Sequence, residues 1–69
     1  MDKEVAVEVQ RHALDAVRSL MEAFYACKDH CAPKEQEQIQ RGVGLSIGRI
    51  ETELLSVIYQ KFPELDDLK

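Results

Sequence analysis

Sixty-nine residues make one domain at most, and a chain this short rarely draws more than roughly 3 to 5 kcal/mol of net stability from its own core, so it needs a staple or a partner. Hydrophobic residues at 45%, with aromatics at 6% and no tryptophan, suit helices packed with alanine and aliphatic side chains better than a sheet or sandwich. A net charge of −4 argues against binding a phosphate backbone, which needs a concentrated Lys/Arg face, and no run of about 18 apolar residues is present to make a membrane-spanning helix.

The chain opens on Met1-Asp2-Lys3-Glu4, which lacks the basic region of a signal peptide, so the expectation is a soluble cytoplasmic protein of bacterial type with its two cysteines reduced. Asp2 is placed to cap a first helix, and Glu4 sits near the positive end of its dipole. That helix is expected over about residues 3–30. Along it Ala6, Val9, Ala13, Ala16, Val17, Leu20, Phe24, Cys27 and Cys31 form one apolar stripe, with Leu14 and Met21 on its shoulder. Opposite them Glu8, Arg11, Asp15, Arg18 and Glu22 alternate in sign three and four residues apart, as on a solvated face of local ion pairs.

A turn over about residues 30–33 ends at Pro33, a residue disfavoured inside a helix but well suited to the first position of a new one. The second helix is expected from about 33 to 61, stopped by Pro63, with an acidic tail over 62–69 whose Leu65 and Leu68 could fold back onto the bundle end. Two rods of nearly equal length, about 42 Å each at 1.5 Å per residue, make an antiparallel hairpin.

Arg41 to Phe62 carries two apolar seams. Val43, Ile47, Ile50, Leu54, Val57 and Ile58 share one stripe, read as the face toward the first helix. Leu45, Gly48, Thr52, Leu55, Tyr59 and Phe62 repeat the same spacing about 140° around the wheel, and one helical neighbour cannot cover both. Gly42, Gly44 and Gly48 each cost a helix interior about 1 kcal/mol relative to alanine, so a continuous helix implies a return. Close approach of another backbone over Gly44 and Gly48 would supply it.

The expected fold class is therefore all-α, an antiparallel two-helix hairpin that closes as a homodimeric four-helix bundle through the second seam. The expected function is that of a small non-catalytic interaction or regulatory module. Its partner would be a second copy of the chain, or another protein anchored on Tyr59 and Phe62. No membrane or nucleic-acid partner, cofactor or enzymatic activity is expected. The acidic tail reads as solvated rather than as a docking peptide.

Two constellations stand against that reading. Cys27, His30 and Cys31 are the dense cluster of soft ligands, at the i, i+3, i+4 spacing that suits a metal or thiol-redox sensor. A structural zinc site needs a fourth ligand, and His12 lies four to five turns away. Free cysteines on a core stripe otherwise act as small apolar residues, so the metal-site assignment is none. His12 flanked by Glu8 and Asp15 has the outline of an oriented general base, but no nucleophile accompanies it. The three glycines match no phosphate-binding loop.

Overall fold

The structure, a computed structural model, describes residues 1–66; the last part of the acidic tail, Leu68 included, lies outside the described residues. It is all-helical over those residues. Helix α1 spans Lys3–Lys28, and α2 spans Pro33–Arg49. A π-helical turn over Ile50–Leu55 carries α2 into α3, Ser56–Lys61, and a 3₁₀ turn follows at Pro63–Leu65.

Each boundary has a local cause. The Asp2 side chain accepts the Val5 N–H at 2.9 Å and caps α1. At the far end the N–H groups of Asp29 and His30 both donate to the Cys27 carbonyl, which closes the last turn and reverses the chain. Pro33 then starts α2, and the Glu35 carboxylate reaches back to the Ala32 N–H at 3.2 Å. Phe62, held before Pro63, leaves helical geometry with φ −134° and ψ 74°.

The two rods run antiparallel, as the cross-links at their open end demonstrate. Gln10 Nε2 donates to the Tyr59 hydroxyl at 3.2 Å and to the Leu65 carbonyl at 2.9 Å, while Lys3 pairs with Glu64 at 3.2 Å. Over the described residues 62–66 the tail thus folds back against α1, as expected for Leu65, with Pro63 and Glu64 still exposed. The molecule measures 45 × 21 × 16 Å, an elongated shape for its length. Among the described residues, no helix is long and apolar enough to cross a membrane.

The second rod corrects the expected core stripe. Val43, Ile47 and Ile50 are half-buried as expected, but Leu54 is 40% exposed and Val57 48% exposed. Ile58, at 2% exposure, is buried as expected, and Leu55, at 4%, takes the place of Leu54 beside it, with Phe62 half-buried one turn on. The cause is the π turn. The Ser56 N–H donates to the carbonyl of Glu51, five residues back, which inserts one residue into the helix and rotates everything after it by about 100°.

Two hydroxyls favour that widening. Thr52 Oγ1 donates to the Gly48 carbonyl at 2.9 Å, and Ser56 Oγ donates to the Thr52 carbonyl, so both i−4 acceptors are shared with side chains. A stripe that begins Val43, Ile47, Ile50 therefore continues as Leu55, Ile58, Phe62. On α1 the buried positions are Ala6, Ala13 and Cys27, while Val9, Val17, Leu20 and Phe24 are half-buried. Ala16, expected on this stripe, is exposed at its edge.

Candidate functional site

The expected assembly seam does not survive as one surface. Its lower members, Leu55, Tyr59 and Phe62, are drawn toward α1 by the inserted residue, and Leu55 is closed off from solvent. Its upper members stay outside: Leu45 is 61% exposed, Thr52 is exposed and Gly48 is half-exposed. The structure thus splits the six residues into a core group and an outward group.

The glycines belong to the outward part of the problem. A Cβ built on Gly42, Gly44 or Gly48 would meet nothing within 4 Å. Close packing of α1 is therefore not the return for their helix cost. Leu45 lies between Gly44 and Gly48 on a surface with no side-chain obstruction, and Leu54 and Val57 add exposed apolar area further along the same rod.

Where the two rods meet near the open end, Leu14, Glu51, Leu55, Ser56, Tyr59, Gln60 and Asp66 line an open groove of about 520 Å³. Its polar groups are partly committed: Gln10 donates to the Tyr59 hydroxyl, and the Ser56 hydroxyl is turned to its own helix. Gln10 is the residue that periodicity passed over. It stands between Ala6 and Ala13 at i+4 and i+7, flanking the apolar stripe, and a polar side chain there signals a bond across the hairpin.

Of the soft-ligand cluster, the structure brings two members together. Cys27 Sγ donates to Cys31 Sγ, with both thiols free. Cys27 is buried in the last turn of α1, and Cys31 is half-buried in the connection to α2. The hydrogen bond to Cys31 foremost, and then burial, pushes the Cys27 thiol up to about 11. His30 is exposed, and among the described residues no group of three or more His, Cys, Asp or Glu side chains converges.

The His12 triad does not assemble either. Glu8 is engaged by Arg11 at 2.8 Å, and its hydrogen bond to that guanidinium holds the carboxyl below its ordinary range; His12 Nε2 lies 3.9 Å from the same carboxylate. Asp15 pairs with Arg18 at 3.0 Å instead. Compared with protein-family models, with curated proteins and with solved structures, the chain finds no match.

Proposed function

We propose that the chain is a small non-catalytic interaction module that works as a homodimer of hairpins, joined across the outward face of α2 and the π turn, around Gly44, Leu45, Gly48 and Thr52. The observation that supports this most is area. The accessible surface is 5258 Å², against about 4400 Å² for a compact monomer of this length. The excess, on the order of 800 Å², means that the elongated hairpin leaves more surface open than a compact chain of its size, enough to accommodate a standard interface.

The location of the thin packing supports the same reading. No residue of α2 is buried within the hairpin, whereas its outward face carries the most exposed large apolar side chain, Leu45, beside glycines over which a backbone can approach. A second copy brings an identical open face, and a two-fold pairing of α2 against α2 would close four helices.

Sedimentation equilibrium of the wild type and of Leu45→Glu tests this. The proposal expects a wild-type dimer and a Leu45→Glu monomer of unchanged helix content, because a charge at an exposed position leaves the hairpin core alone. A wild type that stays monomeric at high concentration, or a variant dimer as tight as wild type, would reject it and leave the face to a different protein. Leu55→Glu is unsuitable as a probe, since it would bury a charge inside the protomer.

A further inference from the structure

We propose that Cys27 and Cys31 are a reversible dithiol–disulfide pair that locks the hairpin turn, with Cys31 the thiol that meets the oxidant and Cys27 the thiol that resolves it. Three observations place the chemistry. The two sulfurs, both free thiols, are in direct contact. The backbone between them is already reversed, with the Asp29 and His30 N–H groups both on the Cys27 carbonyl, so joining the sulfurs needs no large chain movement. Accessibility is unequal, since Cys27 is buried under the end of α1 and Cys31 is half-open to solvent.

That inequality sets the order of events. With a low-molecular-weight disulfide such as oxidised glutathione as the oxidant, the Cys31 thiolate attacks one of its sulfurs. A mixed disulfide forms, and one glutathione leaves as thiolate and takes up a proton. Cys27, after losing its own proton, then attacks Cys31 Sγ and expels the second glutathione. Two electrons and two protons pass from the protein to one disulfide, which becomes two thiols. A raised thiol pKa makes Cys27 a poor first nucleophile, in accord with the resolving role. Oxidation ties the last turn of α1 to the residue two before Pro33, at the end of the hairpin where α2 contributes no buried side chain. The pair is independent of the dimer proposal, because neither cysteine lies on the outward face of α2.

The test treats the full-length reduced protein with oxidised glutathione, blocks remaining thiols with N-ethylmaleimide and follows intact mass with time. The wild type is expected to pass through one glutathione adduct to a species two hydrogens lighter that takes no maleimide and stays a single chain. Cys27→Ser should stop at one adduct on Cys31, and Cys31→Ser should react about tenfold more slowly. Hydrogen exchange on oxidised wild type should slow at the amides of Asp29 to Gln36, a readout that does not depend on either variant folding. Glutathione retained on both cysteines, a link between two chains, Cys31→Ser reacting as fast as Cys27→Ser, or unchanged exchange at the turn would each overturn the proposal.

Discussion

The open end of the hairpin and the turn end are made from the same two rods but are held together differently. At the open end Ala6, Ala13, Leu55 and Ile58 are buried, and Gln10 and Lys3 reach across to Tyr59, Leu65 and Glu64. At the turn end the buried set shrinks to Cys27, and the side-chain hydrogen bonds of α2 are local to its own rod and cap. The difference lies in where the inserted residue sits. Downstream of it the large side chains Leu55, Ile58 and Phe62 point at α1; upstream, three glycines and Leu45 leave α2 lightly packed on one side and open on the other. A chain with so small a core cannot pack every stretch fully, and the loosely held stretch is the one left with exposed apolar surface.

Truncation should break the comparison most sharply. Ile58→Ala removes a fully buried side chain and is expected to cost about 2 to 5 kcal/mol, enough to unfold a hairpin this small, whereas Val57→Ala next to it should stay within about 0.5 kcal/mol in urea denaturation. Equal costs would place the two side chains on the same footing. Gln10→Ala deletes the two bonds across the open end, with an expected loss of about 1 to 2 kcal/mol and faster exchange of the amides near Leu65. At the lightly packed end the sign reverses. Gly42→Ala places a methyl in open space within a helix and should raise the thermal midpoint, by up to about 1 kcal/mol of stability.

The smallest effect is in pH, and it separates the two ends. Glu64 is held below its ordinary value of 4.5, first by its own backbone N–H and then by Lys3. Its contribution is therefore present above that value and is lost as acid protonates the folded carboxyl. Cys27 is raised from 9.0 to about 11, so its contribution is complete below pH 9 and is lost as pH climbs through 11. Lys3→Ala should flatten the acid limb of the stability profile, and Cys27→Ala the alkaline limb. A profile unaltered by both variants would contradict this assignment.

Much of the hairpin was legible in the sequence because its signals are local. Asp2 before the first apolar repeat, Pro33 after a short turn and Pro63 after the second rod each act within one helical turn of where they stand. The core of the second rod was legible in part: Val43, Ile47, Ile50 and Ile58 stand where the period put them, but Leu55 in place of Leu54 was not legible, because a strict 3.6-residue period has no place for an inserted residue. Thr52 and Ser56 were visible, but that their hydroxyls share the carbonyls of Gly48 and Thr52 depends on side-chain geometry that a wheel does not contain. The same blindness put Leu55 on the assembly seam. The thiol pair was legible as spacing, while the exposure of His30 and the unequal burial of Cys27 and Cys31 arise from how the chain leaves α1.

The register of the second rod decides which apolar residues belong to the hairpin core and which stay exposed, and deleting Thr52 tests it directly. Removing one residue from the π turn restores an uninterrupted α-helix in which Val43, Ile47, Ile50 and, by their wild-type numbers, Leu55 and Ile58 still share a face. The deletion variant should therefore keep its helix content and unfold at a urea concentration no lower than that of the wild type. A variant that loses its cooperative transition would mean that Leu55 and Ile58 had been thrown off the core, and that the inserted residue does not set the register.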